Sequence, residues 1–284
     1  VSQSHAAPPV LSVVVPVLNE APVIERCLQR LVTQDAIDEI IVVDNGSDDG
    51  SPEIVRAFAA AHPKVELVHE HHRGITPARN TGFDTAKGDF IARTDADTLV
   101  PPHWGRTIHD FLTEHPETAA VTGICTYHDS PVGFLLDFGV YLQDRRGKIG
   151  GPVGNMYGPN MALRRDAWLE VRADTQVRVD VAEDLDLALC LSKRGLRIDQ
   201  VKDMHALTSA RRRRTSPHHW WRFQLMGLRT IAHHGYRVLP LHRVLIVAAW
   251  TTHTLQWPIY RFWDFDRKRF ALRPGAARRS AVGH

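Results

Sequence analysis

Residues 10–17 read VLSVVVPV and residues 39–43 read EIIVV; between them, residues 22–31 (PVIERCLQRL) place apolar side chains at a helical period. This order decides the fold. Continuous β-branched runs make strands buried on both faces, and a helix between two such strands makes them parallel. Pro22 suits the first turn of that helix, where its missing N–H is no loss. Residues 65–68 and 90–93 read as a third and a fourth strand. Helices fill the gaps, one opening at Ser51-Pro52 and one over 76–86 with Gly82 inside it. A helix over about 103–114 and a strand over 119–125 complete an α/β half with a mostly parallel sheet. Ligands bind such sheets at the carboxyl ends of the strands. Asp44 and Asp95 lie there.

The second half is less regular. Residues 145–154 (RRGKIGGPVG) read as a glycine-rich basic loop, and 160–165 as a short strand entering a helix through Asp166 and Trp168. Residues 183–194 (EDLDLALCLSKR) read as an amphipathic helix closed by Gly195, and 196–201 as a strand. Beyond Ser209 the pattern is helical and basic. A boundary near 215 separates a body over 10–215 from a helical extension over 216–284. Residues 1–9 read as a loose start with no signal peptide.

A chain of 284 residues with 43% hydrophobic and 24% charged residues is globular, not disordered or fibrous. Three cysteines, Cys27, Cys125 and Cys190, lie far apart among apolar neighbours, which excludes a disulfide framework and fits a reducing, cytoplasmic compartment. The net charge of +3 hides an asymmetry. From His205 onward there are 15 Lys/Arg against 2 Asp/Glu; the preceding 204 residues carry 20 against 30. A basic tail on an acidic body suggests an anionic partner. The tail holds Trp220, Trp221, Trp250, Trp257 and Trp263, five of the seven tryptophans, which points to a membrane surface and away from nucleic acid. The apolar stretch 244–260 is broken by threonines, His253, Gln256 and Pro258, so an interfacial helix is expected there and a span is not.

Asp95-Ala96-Asp97 is the sharpest local feature. Two carboxylates two residues apart at a strand end can hold a hard divalent cation, Mn2+ or Mg2+. Alone, such a turn is commonplace. Here other strand ends also carry polar groups suited to a nucleotide: Pro16, Asn19 and Glu20 after the first strand, and Asp44 with an Asn-Gly-Ser loop after the second. An EF-hand reading of residues 44–50 fails, because glycine stands at the third position and aspartate at the sixth. Glu183-Asp184 opens a helix, either as an acidic cap or with a general base. Asp186 is the rival base, two residues on and facing elsewhere.

Together these pieces resemble the family 2 glycosyltransferases. VVVPVLNE, IIVVDNGSDDG, GITPARNTGFDTAKGDFIARTDAD, GPNMALRRDAW and AEDLDLALCLSKRG occur in that order from Leu11 to about Ser209. The resemblance implies a GT-A-type, Rossmann-like fold, with a nucleotide-sugar half at about 10–125 and an acceptor half at about 126–215. It implies inverting transfer from a nucleotide-diphosphate sugar, UDP-sugars being favoured, to an acceptor hydroxyl. By position, Pro16, Asn19, Glu20 and Asp44 would line the nucleoside pocket, with Arg79 there or at the diphosphate. Asp95, Ala96 and Asp97 would meet ribose and metal, with His205 as a further metal ligand. Gly158 and Asn160 would sit near sugar and acceptor, Arg211 would clamp the diphosphate, and Asp184 would be the base. The Gln/Arg-x-x-Arg-Trp signature of processive synthases is missing, since Thr215 follows Arg214.

Asp95-Ala96-Asp97-Thr98 also fits the D-x-D-x-T motif of haloacid-dehalogenase-like phosphotransferases, although that motif normally follows the first strand of the core. A sugar nucleotidyltransferase would want a glycine-rich basic loop after the first strand, which is not seen. A non-catalytic membrane-surface scaffold would leave the acidic strand ends without purpose. The basic tail favours a lipid-linked acceptor and a peripheral position at the inner face of the membrane.

Overall fold

A computed structural model describes residues 9–275. The expected loose start at residues 1–8 lies outside them. The strands are β1 (Leu11–Val17), β2 (Glu39–Asp44), β3 (Val65–His69), β4 (Phe90–Arg93), β5 (Thr118–Tyr127), β6 (Gly151–Pro152), β7 (Met161–Arg164) and β8 (Arg197–Thr208). They form one sheet in the order β3-β2-β1-β4-β7-β5-β8-β6. The first four are mutually parallel; β7 runs antiparallel between β4 and β5, and β6 antiparallel to β8. The sheet is therefore mixed and mostly parallel, as the strand pattern predicts.

Alternation along the strands builds a core on each face. Val13, Val15 and Val17 of β1 pack under α1 (Ile24–Val32) and α4 (Trp104–Glu114), while Val14 points the other way, toward α3 (Ile75–Thr85), α6 (Arg165–Val171) and α7 (Glu183–Lys193). Gly82 inside α3 has a packing reason. A Cβ there would fall 2.2 Å from Val14 Cγ1, so glycine lets the helix lie against β1. Helix α2 (Ser51–Ala61) completes the β2–β3 crossover.

Three features of the second half depart from expectation. Residues 133–145 form a helix, α5 (Gly133–Arg145), that the pattern did not reveal. The glycine-rich stretch after it contains edge strand β6. Strand β8 runs to Thr208 and carries the chain up to the carboxyl edge of the sheet.

The extension is helical as expected, with α8 (Pro217–His233) and α9 (Pro240–Arg261), then a hairpin of β9 (Trp263–Asp264) and β10 (Arg269–Phe270). No helix among the described residues is long and apolar enough to cross a membrane. The tryptophans are not displayed as expected of a membrane surface. Trp220 stacks on His253 at 4.2 Å, and Trp221 meets Trp250 edge-on. Trp250, Trp257 and Trp263 donate their indole N–H groups to the carbonyls of Pro217, Arg214 and Asp129. Their large surfaces and single donors pack the extension together, and Trp257 and Trp263 tie it to the body through Arg214 and Asp129.

Candidate active site

A cleft of about 410 Å³ opens at the carboxyl ends of the strands, lined from both halves of the chain and from α8. Among the predicted residues, Pro16, Glu20, Asp95, Ala96, Asp97, Gly158 and Asp184 line it. Asp95, Ala96 and Asp97 follow β4, and Asp184 stands in the first turn of α7. Side chains 87 residues apart in the chain thus share one cavity.

Two arginine–carboxylate junctions organise it. In the first, Glu183 is buried and accepts from Arg79 Nη1 at 2.9 Å and from Arg93 Nη1. Arg93 also donates through Nη2 to Asp95 Oδ1 at 2.9 Å. Burial alone would raise the Glu183 carboxyl, but the guanidinium groups of Arg93 and Arg79 hold it below its ordinary value. In the second, Arg211 Nη2 bridges Glu20 Oε2 at 2.8 Å and Asp97 Oδ2 at 3.1 Å. Burial and then the Asp95 carboxylate push Asp97 up to about 6, against the pull of Arg211. The Asp184 carboxyl is also raised, first by burial and then by neighbouring Glu183. It accepts from Leu185 N–H at 2.8 Å and weakly from Gly158 N–H at 3.4 Å.

The remaining predicted residues stand elsewhere. Arg79 is fully buried and turned toward Glu183 and Asn80, not toward the cleft. Asn160 is fully buried too. The β5–β8 pairing shifts register between Thr122 and Ile124, and Asn160 Nδ2 donates to Ile124 O and Met204 O at that shift. Its Oδ1 accepts from Trp104 Nε1, so its side chain is fully engaged in the framework. Gly123 makes this possible, since a Cβ there would lie 1.9 Å from Met204 O. Asp44 accepts from Gly46 and Ser47 N–H, each at 3.2 Å, and thereby shapes its own turn; Asn45 beside it reaches the cleft lining. Asn19, with φ of 57°, accepts from Asp48 N–H and ties the first two loops together. His205 is exposed in mid-β8, between buried Met204 and Ala206, and away from the cleft lining. Strand alternation turns it off the cleft-facing course, so the expectation of a histidine ligand there finds no structural support.

The rival base is disposed of by geometry. Asp186 is fully buried, accepting from His234 Nε2 at 2.7 Å and from Gln176 N–H at 2.9 Å. With Cys190 these groups form a buried Asp–Cys–His cluster that joins α7 to α8. Burial and then Asp186 push the Cys190 thiol up to about 12, so it stays protonated.

Sequence reasoning missed Arg93, Glu183 as an ion-pair centre, and the aromatic wall of Tyr157, Trp220 and Phe223. A basic residue closing the apolar strand FIAR was the available signal for Arg93. Arg212 and Arg213 also line the cleft, stacked over Phe223 and Trp220 at 5.2 and 5.1 Å. The free donors of these groups suit phosphate oxygens. Asp95 and Asp97 offer only oxygen, and their crowded negative charge fits a hard divalent cation.

The sequence pattern of glycosyl transferase family 2 matches residues 12–171, more than half of the chain. The chain belongs to that family. Glycosyltransferase AglE of Haloferax volcanii is 39% identical over 100 residues, covering 34% of this chain and 33% of AglE. The uncharacterized glycosyltransferase YibD of Escherichia coli is 37% identical over 105 residues, covering 37% of this chain and 30% of YibD. The match thus spans about a third of each relative's length. Among solved structures, the mannosyltransferase PcManGT of Pyrobaculum calidifontis, in complex with GDP-Man and Mn2+, superposes with a TM-score of 0.64 at 25% identity, over 89% of this chain and 74% of that one. S. aureus TarS 1-349 in complex with UDP-GlcNAc gives 0.58 at 18% identity, over 87% and 73%, which is a likeness of fold. This family 2 member has the GT-A fold.

Proposed function

We propose that this chain is an inverting glycosyltransferase that moves a sugar from a nucleotide-diphosphate sugar to an acceptor hydroxyl, with Asp184 as general base. The observation that carries the reading is that Asp184 and the Asp95/Asp97 pair line one cleft although they are far apart in sequence. A base must reach the attacking hydroxyl, and its best pKa lies near the working pH. Burial moves Asp184 in that direction.

Asp184 takes the acceptor proton as the hydroxyl oxygen attacks the anomeric carbon from the side opposite the leaving diphosphate. One displacement inverts that carbon, and no enzyme nucleophile is required. Asp95 and Asp97 would hold Mn2+ or Mg2+, which when bound neutralises charge on the leaving diphosphate. Arg211, Arg212 and Arg213 bind its oxygens, and Pro16 and Glu20 border the nucleoside. UDP-sugars are the favoured donors; the GDP-Man bound to PcManGT makes GDP the first competitor to test. The basic extension supports a lipid-linked acceptor, and three free cysteines accord with a cytoplasmic, membrane-peripheral site. The phosphotransferase alternative does not suit the topology, because Asp95 follows the fourth strand, flanked by β1 and β7.

A thermal-shift panel of UDP, GDP and dTDP with and without Mn2+ tests the reading, since selective binding raises the melting temperature. A metal-dependent rise with one nucleotide is expected. Flat traces across the panel would overturn it.

A further inference from the structure

Helix α5 stands apart from the other helices of the body. Its sequence, GFLLDFGVYLQDR, is apolar around most of its circumference, yet only Gly133 is buried. Phe134 is 64% exposed, Phe138 58% and Tyr141 52%. A short helix that is apolar nearly all round belongs in an apolar phase. Contiguous exposed surface of this kind marks an interaction site.

Two further features adjoin it. The hairpin after α9 is tied to the segment leading into α5: Trp263 Nε1 donates to Asp129 O at 2.7 Å, and Lys268 Nζ donates to His128 O at 3.0 Å. Ser130 and Tyr260 hydroxyls pair at 2.8 Å. The hairpin exposes Phe270 beside Arg267, Lys268 and Arg269, and α5 runs out into Arg145, Arg146 and Lys148, all exposed. Apolar side chains rimmed by bases complement an anionic lipid surface, where acyl chains lie below charged headgroups. A second copy docking through the same face would bring like charges together, which the basic rim disfavours. The surface borders the cleft, because Tyr127 lines the cleft just before the segment that leads into α5.

We propose that α5 and the C-terminal hairpin dock this protein on an anionic lipid surface, with Phe134 and Phe138 in the acyl boundary and the Arg/Lys clusters on headgroups. This replaces the tryptophans as the membrane-contacting element. Docking of this kind holds the cleft mouth at the bilayer, so the acceptor is presented from the lipid phase; that last clause rests on the sugar-transfer reading, while the docking does not.

Flotation with phosphatidylcholine vesicles, with and without phosphatidylglycerol, tests the proposal. The wild type floats with the anionic vesicles and far less with the neutral ones. Phe134→Ser/Phe138→Ser lowers the bound fraction at least about tenfold. Replacing Arg267, Lys268 and Arg269 by Gln removes the preference for phosphatidylglycerol. An unchanged nucleotide thermal shift in the same variants shows an intact site, so loss of docking and loss of donor binding are read separately. Equal flotation of wild type and Phe variant, or no flotation of the wild type, overturns the proposal. So does a wild-type mass in light scattering that is twice the variant's, which would make the patch a self-interface.

Discussion

The two arginine–carboxylate junctions at the cleft use the same chemistry to different ends. The Arg79–Glu183–Arg93 junction is almost wholly buried, with side-chain exposures of 0%, 8% and 3%. The Arg211 junction to Glu20 and Asp97 is open on one side, since the Arg211 side chain is 21% exposed. A buried ion pair has little access to other partners, so losing one member strands a buried charge. One whose guanidinium is part-exposed can exchange with solvent and with ligands, and it contributes less to stability. The first junction sets the position of α7, and with it Asp184, relative to β4 and Asp95. The second places a guanidinium on the carboxylate that a cation would need.

Asp184→Asn should lower turnover by about 10²–10⁴-fold, the usual worth of a general base, while nucleotide binding by thermal shift is kept. Wild-type turnover in that variant would remove Asp184 from the mechanism. Glu183→Gln should destabilise the fold by about 3–5 kcal/mol in chemical denaturation, because two buried guanidinium groups lose their counter-charge. A loss below about 1 kcal/mol would show that water reaches the junction.

Asp97→Ala should weaken metal-dependent donor binding by about 10–100-fold in calorimetry, and leave metal-free binding nearly unchanged. Unchanged affinity with Mn2+ would place the cation elsewhere. Arg211→Ala should cost less stability than Glu183→Gln, because its guanidinium is part-exposed, although the Glu20 and Asp97 carboxylates it leaves are buried. Its nucleoside-diphosphate affinity should nevertheless fall about tenfold, by loss of a charge-assisted contact. A large stability loss would make the second junction architectural like the first.

The pH profile sharpens the same contrast. Burial and Glu183 raise the Asp184 carboxyl, so it becomes protonated at a higher pH than an ordinary aspartate. The proton-accepting form exists only above that value. Log kcat/KM should therefore fall with unit slope as pH drops through it, and the residual rate of Asp184→Asn should lack this limb. An acid limb in the ordinary carboxylate range would show that Asp184 is more solvated than its position implies.

Much of the first half was legible. Strands 10–17, 39–43, 65–68 and 90–93 emerge from their apolar runs, and their ends from the polar residues that follow. The second half was less so. Helix α5 escaped because its apolar residues do not repeat at a buried-face period; they face outward, so the pattern that marks a packed helix is absent. The site divided in the same way. Asp95, Asp97 and Asp184 line the cleft, whereas Arg79 and Asn160 are turned into the framework. Nothing local distinguishes an arginine that binds a ligand from one that neutralises a buried glutamate.

By itself the sequence determined the order of strands and helices in the first half, and that acids would crowd the carboxyl edge of a parallel sheet. Those properties follow from side-chain periodicity and from where apolar runs end, both of which are local. Only the tertiary structure decided which polar side chains face the cleft. That choice depends on β7 entering antiparallel between β4 and β5, on the register shift at Gly123 that engages Asn160, and on α8 closing the wall with Trp220 and Phe223. Each is a pairing between residues distant in the chain, set by packing and register, which local composition does not encode.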